Sequence, residues 1–169
     1  GEMTPLSHAR FMREAQAIAA LRTEHAVEVY EGGVLDDGSP YLVTELLEGE
    51  TLESLLAKDG VAKVDDAIRY ISEAASALQA AHAIGLVHRD VKLANIFLAK
   101  RRDREAPTVK VIDFGIVKDT RPTAEALTRT GEGFGSPAYM SPEQVRGEST
   151  VDARSDIWSL GVCLFELLT

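Results

Sequence analysis

The sequence predicts an α+β protein, because segments with the apolar spacing of helices occur together with short apolar runs typical of strands. Apolar residues recur three or four positions apart in residues 11–21 and 65–83, which is the spacing of one helix face. Residues 28–35 and 41–46 are strand-like and are joined by DDGSP, a turn by composition. With 169 residues and 45% hydrophobic content, the chain can form one sizeable core, which favours a single domain.

Two further helix signals lie in the first half of the chain. Thr51 is suited to cap a short helix over residues 51–57, because its side-chain oxygen can accept a hydrogen bond from a free backbone N–H. The helix over residues 65–83 begins with acidic residues, which favour the positive end of the helix dipole, and Gly85 is placed to end it.

The second half of the chain is predicted to contain short strands, an irregular segment and a final helix. LVH, NIFLA and VKVIDF are apolar enough for short strands, whereas residues 119–154 are rich in Thr, Ser, Gly, Glu and Pro and predict a long irregular segment. Residues 157–168 (IWSLGVCLFELL) are apolar nearly all round, which predicts a helix buried within a domain. That run falls short of the roughly 20 residues that a membrane span needs, so no membrane segment is predicted.

Charge and cysteine content limit the partners and the compartment. The formal net charge of -9 argues against nucleic acid and anionic membranes as main partners, because both carry negative charge themselves. The single cysteine, Cys163, excludes an intrachain disulfide, and its apolar neighbours favour a buried, inert thiol over a nucleophile. We therefore expect a cytoplasmic location, with any membrane anchor of a longer parent chain lying outside this sequence.

The stretch LVHRDVKLANIFL places several polar side chains between two apolar runs. Asp90 is a candidate base or hydroxyl acceptor, Lys92 is a cation two residues away, and Asn95 is a neutral oxygen ligand, while Asp113 in IDFGI offers a second hard oxygen. This combination suggests a magnesium-bound phosphate. Taken singly each motif is weak, since an ion pair of Asp90 with Arg89 explains HRD equally well and DFG alone could be a turn.

In their order along the chain, H-R-D-x-K-x-x-N, D-F-G, S-P-E and D-I-W-S-L-G are together highly specific. The sequence resembles the eukaryotic-like protein kinases over nearly its whole length, and most closely the bacterial Ser/Thr kinases. The resemblance implies a protein-kinase-like fold, with the end of the N-lobe in residues 1–46 and most of the helical C-lobe, up to its central buried helix, in residues 47–169. Lys92 is the serine/threonine form, and Leu93 stands where the family usually has Pro, a departure of little expected consequence.

The resemblance implies a protein serine/threonine kinase that uses ATP and Mg²⁺ and acts on Ser/Thr hydroxyls of protein substrates. Asp90 would accept or orient the proton of the substrate hydroxyl, and Lys92 would neutralise charge on the transferred phosphoryl group. Asn95 and Asp113 would hold magnesium against the phosphates.

Other residues of the nucleotide site follow from the same resemblance. Thr44 falls at the gatekeeper position, so the backbones of Glu45 and Leu47 are expected to face the adenine. Glu14 corresponds to the helix glutamate that pairs with the ATP-binding lysine; the alternative is an ordinary exposed helix glutamate.

Structural roles are implied for a further set. His88 and Phe114 resemble the stacked apolar spine beneath the site, to which Ile18 would contribute unless it is simply a core residue. Asp156 would bond to the backbone of the catalytic loop, and Glu143 corresponds to the glutamate of the A-P-E motif.

Regulation is expected in LTRTGEGFGS. Thr128 and Thr130 are the expected activation-loop phosphosites, with Arg89 as the cation that pairs with the phosphate and Ser136 as a structural contact to the catalytic loop. Two solvated loop threonines are the alternative. Autophosphorylation between two copies, and hence a kinase homodimer, is expected.

Parts of the family pattern are not in this sequence. Only 13 residues precede Glu14, and they contain neither a glycine-rich loop nor a strand lysine; the family also continues past the helix that ends at Thr169. We therefore expect a fragment of a larger kinase that is inactive by itself. The alternative is a non-catalytic pseudokinase or binding module, against which the intact Asp90, Lys92, Asn95 and Asp113 argue.

Overall fold

The computed structural model describes residues 5–101, 103–114, 137–148 and 150–169, with side chains from residue 11 onward. Helix α1 (Pro5–Ala19) covers residues 11–19 of the predicted helical segment, begins six residues before it and ends two residues before its expected end. Phe11, Ala15 and Ile18 are each only 3% exposed, because their spacing of three and four places them on one face.

A hairpin follows α1, as predicted. Strands β1 (Val29–Val34) and β2 (Pro40–Thr44) pair in antiparallel fashion, and α1 packs mainly on β1. The connecting turn contains Gly38 with φ 84°, a backbone conformation that side chains other than glycine rarely adopt.

A short strand that the sequence analysis did not predict precedes the second helix. Strand β3 (Gly49–Thr51) pairs with β4, and a Cβ on Gly49 would overlap the carbonyl oxygen of Leu98, so this close approach requires glycine. Helix α2 (Leu52–Asp59) follows, and the predicted cap is confirmed, because the Thr51 side chain accepts a hydrogen bond of 3.1 Å from Ser54 N.

The long helix and two of the predicted strands form the centre of the structure. Helix α3 (Val64–Ala83) packs against β5, and Gly85 after it has φ 77°. Strands β4 (Ile96–Ala99) and β5 (Thr108–Val111) are antiparallel and complete a sheet of order β3-β4-β5. The chain before β1 runs beside β5, with Val27 N donating to Val111 O at 3.0 Å, which ties the hairpin to this sheet.

The predicted strand at LVH is wrong. Residues 86–88 belong to neither of the two sheets in the described part of the chain. Leu86 N donates instead to the end of α3 at Ala81 O, and His88 N donates to the carboxylate of Asp156. The side chain of Asp156 therefore accepts from a backbone N–H that a neighbouring strand would bond in a sheet.

Two helices end the described chain. Helix α4 (Pro142–Val145) lies within the segment predicted to be irregular and begins with a capping box formed by Ser141 and Gln144. Residues 115–136, the larger part of that segment, lie outside the described residues. Helix α5 (Ala153–Leu168) packs on α3.

Helix α5 contributes residues to the core, as its apolar sequence predicted, but within the described part of the chain it is covered on one side only. Leu160, Cys163 and Leu167 face the core, whereas Ile157 is 56% exposed and Phe165 is 67% exposed. The reason is that α3 covers one side of α5 only. Burial raises the pKa of the Cys163 thiol to about 12, in keeping with the inert thiol expected there. No helix in the described ranges is long and apolar enough to cross a bilayer.

We expect the isolated 169-residue chain to self-associate at micromolar concentration. The exposed apolar side of α5, with Trp158 at 51% exposure beside Ile157 and Phe165, is the kind of continuous patch that monomers rarely expose. Replacing Ile157 and Phe165 by glutamine should shift sedimentation toward the monomer, because both side chains face solvent. Leu160→Gln, which places the same amide in the core, serves as the control and should unfold the chain. A monomer that unfolds in one sharp thermal transition without these changes would contradict the expectation.

Candidate functional site

A cavity of about 520 Å³ is lined by residues of α1 and the hairpin together with residues from 90–97 and 112–114. Its volume is that of a small-molecule site. One part of its wall is polar and is formed by Asp90, Lys92, Asn95 and Asp113. The remainder is mostly apolar and includes Ile18, Val27, Val29, Leu42, Phe97 and Ile112. The four polar residues that the sequence analysis selected are thus brought together.

The segment that carries three of them, residues 86–95, is held by Asp156 from α5. The carboxylate of Asp156 is fully buried and accepts hydrogen bonds from His88 N at 2.9 Å and from Arg89 N at 2.8 Å. The ring nitrogen His82 Nε2, at the end of α3, lies 2.7 Å from the same carboxylate. A buried carboxylate needs several hydrogen-bonding partners, because it has been removed from water. The segment is therefore anchored to two helices at one point.

The backbone turns sharply at Arg89, which has φ 65° although it is not glycine. Such a left-handed residue costs about 1–3 kcal/mol and persists only where its surroundings fix it. Besides the bond from Arg89 N to Asp156, Gln144 Nε2 from α4 donates to Arg89 O at 2.9 Å. Both backbone polar groups of Arg89 are thus occupied, and the turn directs the chain so that Asp90 lines the cavity.

Asp90, Lys92 and Asn95 form a compact polar group. Lys92 Nζ lies 3.4 Å from Asp90 Oδ2, and Asn95 Nδ2 donates to Asp90 O at 2.8 Å and to Asp90 Oδ2 at 3.1 Å. The amide nitrogen of Asn95 is used in these bonds, so its amide oxygen is the atom that could bind a cation. Asp90 keeps its position through bonds at both its main chain and its carboxylate.

Asp113 reaches the same cavity from the other side. It follows β5 and has φ 54°, and the preceding residue is held by a bond of 3.0 Å from Ile112 N to Asn95 O. The carboxylate of Asp113 and the amide oxygen of Asn95, with Lys92 nearby, are oxygen donors that suit Mg²⁺ carrying phosphate oxygens as further ligands. The residues present therefore fit a magnesium nucleotide.

His88 is buried below this polar group and is held as a neutral ring. Its Nδ1 accepts from Asp90 N at 3.2 Å and its Nε2 donates to Ile112 O at 3.0 Å, an arrangement that requires the proton on Nε2 only. Burial lowers the pKa of His88, although the nearby carboxylate of Asp156 acts in the opposite direction. Its ring centre lies 4.8 Å from that of Phe114, so these two residues stack beneath the site.

The residues predicted to face adenine occupy one edge of the cavity. Thr44, Glu45 and Leu47, at and after the end of β2, all line it. Glu45 N donates to Glu28 O at 3.0 Å, so the chain stays paired with β1 just beyond the strand. Glu14 does not line the cavity, although Ile18 from the same face of α1 does; the Glu14 side chain is half-buried.

The remaining predicted residues lie away from the cavity. Glu143 of α4 accepts a hydrogen bond from Ser155 Oγ, and this bond lowers the pKa of the glutamate. The side chain of Arg89 is exposed. Its expected partners Thr128 and Thr130 lie outside the described residues, and so does Ser136.

Several functional contacts were missed from the sequence. Phe97 lines the cavity, but NIFLA was assigned only as a strand; alternation along that strand, two residues after Asn95, could have indicated it. The contacts of His82 with Asp156 and of Gln144 with Arg89 join residues 74 and 55 positions apart. No local pattern signals such pairs.

Comparisons with known proteins agree with this geometry. Residues 2–169 match the family model described as the protein kinase domain. The chain is 44% identical over 168 residues to the serine/threonine-protein kinase PknB of Mycolicibacterium smegmatis, with 98% of this chain and 26% of that protein covered. It is 42% identical over 163 residues to the serine/threonine-protein kinase pkn3 of Myxococcus xanthus, with 95% of this chain and 29% of that protein covered. The chain therefore spans about a quarter of the length of these curated relatives.

Among solved structures, the chain resembles the crystal structure of the Mycobacterium tuberculosis PknI kinase domain. The TM-score is 0.76 at 27% sequence identity, and the match covers 98% of this chain and 58% of that chain.

The neutral state of His88 predicts a pH dependence of stability. Because its pKa in the folded protein lies below the unfolded value of about 6.5, the unfolded chain gains a proton at pH values where the folded one does not. The free energy of unfolding should therefore fall as the pH drops below about 6.5, by up to about 1.4 kcal/mol per pH unit from this residue. Above that pH the ring is neutral in both states and contributes no slope.

Denaturant unfolding of the full natural chain that carries these residues, compared with its His88→Phe variant, measures this contribution. The variant keeps an aromatic ring against Phe114 and removes the titrating group. Every other histidine and carboxylate is common to both proteins, so the difference between the two curves isolates His88. Parallel curves from about pH 7.5 to 5.5 would contradict the assignment.

Proposed function

Because the chain belongs to the protein kinase domain family, we propose that it is part of the catalytic domain of a serine/threonine kinase that transfers the γ-phosphate of ATP to protein hydroxyls. The observation that carries this proposal is the convergence of Asp90, Lys92, Asn95 and Asp113 on one cavity whose remaining wall is mostly apolar. A scaffold has no physical need for two candidate metal ligands, a lysine and a hydroxyl acceptor at one place. The fold, as in the solved PknI domain, is consistent with this activity.

The proposed mechanism follows the general template for protein kinases. Mg²⁺–ATP, when bound, supplies the phosphoryl group and part of the charge neutralisation. Asp90 accepts the proton of a Ser or Thr hydroxyl and orients the oxygen, and its bond from Asn95 Nδ2 keeps the carboxylate in place. Lys92, 3.4 Å from Asp90 Oδ2, provides a positive charge where negative charge develops. Positioning and electrostatics are most of what such a reaction needs from the protein.

We assign nucleotide binding to the two ends of the cavity. Asn95 and Asp113 would hold Mg²⁺, because both offer oxygen atoms at the polar end. The backbones of Glu45 and Leu47, beside Thr44, would take the adenine at the apolar end. Glu14 would pair with a lysine that binds ATP.

We further propose that residues 1–46 belong to the N-lobe and residues 47–169 to the C-lobe. The 169 residues contain no glycine-rich loop and no strand lysine ahead of Glu14, so we expect no measurable transfer from them alone. We place the activity in the cytoplasm, where ATP is available. Its proposed substrates are proteins that carry accessible Ser or Thr hydroxyls.

The decisive experiment compares Asp90→Asn with Asp113→Ala in the full natural chain that carries these residues. Asp90→Asn keeps the shape of the side chain but removes the proton acceptor, so kcat should fall by about 10²–10⁴-fold while magnesium-dependent nucleotide binding persists. Asp113→Ala removes a carboxylate ligand, so binding of Mg²⁺–ATP should weaken as well. Radiolabel transfer to a generic Ser/Thr protein substrate gives the first quantity, and titration with a fluorescent ATP analogue gives the second.

Three results separate the outcomes. Loss of transfer in both variants, with loss of binding only in Asp113→Ala, supports the proposal. Nucleotide binding without any transfer by the wild type would favour the scaffold. Wild-type turnover by Asp113→Ala would refute the assigned metal site.

Regulation of this activity is proposed at Thr128 and Thr130. A phosphate there adds close to two negative charges and needs a cation to pair with. Arg89 is exposed and immediately precedes Asp90, so its ion pair with the phosphothreonine would link the phosphorylated segment to the site. We propose that two copies phosphorylate each other at these threonines.

We expect the double variant Thr128→Ala, Thr130→Ala to lose most of its kinase activity while nucleotide binding is retained. Mass spectrometry of the wild type should find phosphate on one or both threonines. When an active copy is mixed with an Asp90→Asn copy, the active copy should phosphorylate the inactive one. Thr108→Ala is a control, since Thr108 is 3% exposed and inaccessible to another copy. Unchanged activity of the double variant would refute this switch and leave the kinase assignment intact.

A further inference from the structure

Lys110 is a buried cation that the proposed mechanism does not use. It lies in β5, and its side chain is only 9% exposed. Lysine is rarely buried unless its ammonium group is paired. Lys110 stands directly across the β4–β5 ladder from Phe97, which lines the cavity. Cross-strand partners project to the same face of a sheet, so Lys110 lies on the cavity side of the sheet and not on its solvent side.

The ammonium group of Lys110 connects three separate parts of the chain. Lys110 Nζ donates to Glu45 Oε1 at 2.6 Å and to Ala26 O at 3.2 Å. The same oxygen of Glu45 accepts from Glu28 N at 2.8 Å. Glu45, which follows β2 at the cavity edge, is thus held through its carboxylate as well as through its backbone bond to Glu28 O.

Stability alone does not explain this arrangement. The free-energy cost of removing two charges from water offsets the attraction between them, and apolar residues of similar volume often stabilise a fold equally well. Lys110 lies three positions before Asp113, and Glu45 lines the cavity just after β2. The ion pair therefore fixes the edge expected to take the base relative to the strand that leads to the proposed metal ligand.

We propose that Lys110 is a positioning residue that acts through Glu45 to set the geometry of the adenine-binding edge. The ligand class is a purine nucleotide, and the inference rests on the proposed function. Lys110 does not line the cavity itself, so its effect is on the affinity for the base and not on phosphoryl transfer. Without its partner, the carboxylate of Glu45 turns toward water, since 21% of that side chain is already exposed, and the backbone beside Thr44 and Leu47 moves with it.

The test uses the full natural chain and its Lys110→Met variant, which keeps the length of the side chain and removes the charge. Dissociation constants are measured for ATP and for adenosine, which has no phosphates, together with KM for ATP and kcat. We expect both dissociation constants and KM to rise by the same factor of about tenfold, with kcat within about threefold of wild type. A residue that merely maintained the fold would change kcat and KM together.

Three further variants make the test specific. Lys110→Arg keeps a cation and should restore binding. Lys110→Met combined with Glu45→Met leaves no unpaired charge, so it should fold even if the single variant does not, and should bind adenosine no more weakly than the single variant. Lys100→Met removes an exposed lysine one position after β4 and should leave every constant unchanged.

The outcomes are distinguishable from failure of the kinase assignment. If wild type binds ATP and adenosine but Lys110→Met binds them equally well, or if only kcat falls, the inference on Lys110 is overturned and the proposed function stands. If the double variant binds adenosine more weakly than Lys110→Met does, the two residues do not act through each other, and the inference is likewise overturned. If the wild type binds no adenine nucleotide, both proposals fail.

Discussion

The buried carboxylate of Asp156 is the contact on which the candidate site depends. It accepts from two consecutive backbone N–H groups, at His88 and Arg89, and lies next to His82 at the end of α3. Without it, the buried N–H of His88 would have no acceptor and the left-handed turn at Arg89 would lose one of its two supports. The positions of Asp90 and Asn95 follow from that turn. The charge of one buried residue thus determines the shape of a segment that belongs to no sheet.

A second constraint is the connection of the hairpin to the three-stranded sheet. Strand β5 pairs with β4 on one side and with residues 25–27 on the other, and it leads into Asp113. The hairpin and Asp113 are therefore attached to the same strand. Apolar side chains from α1, the hairpin and β4 line the cavity together with the four polar residues, so part of its wall is polar and the remainder is mostly apolar. A ligand with a planar base and a charged tail matches this division.

The sequence predicted the fold class, confirmed by the family match and the structural comparison, and it predicted the four polar residues that meet at the cavity. Helix and strand patterns predicted the α+β class, whereas the kinase-like fold and the roles of the site residues were implied by the resemblance of the ordered motifs to the family. The prediction failed where the local structure is determined by residues that are distant in sequence. The apolar run LVH resembles a strand, but a carboxylate 68 residues away takes its backbone donor. The pairing of Lys110 with Glu45 likewise spans 65 residues. Composition and spacing carry no information about such partners.

The separation of Asp156 from the segment that it holds also has a kinetic consequence. Residues 86–95 leave the ribosome well before Asp156 does, because translation proceeds from the N-terminus. Closing a loop of 68 residues also costs chain entropy that a local turn does not. Helices α2 and α3 can form early from local contacts, whereas the turn at Arg89 must wait until α5 has docked. A chain interrupted before α5 would therefore contain every motif residue up to Asp113 and still lack an ordered site.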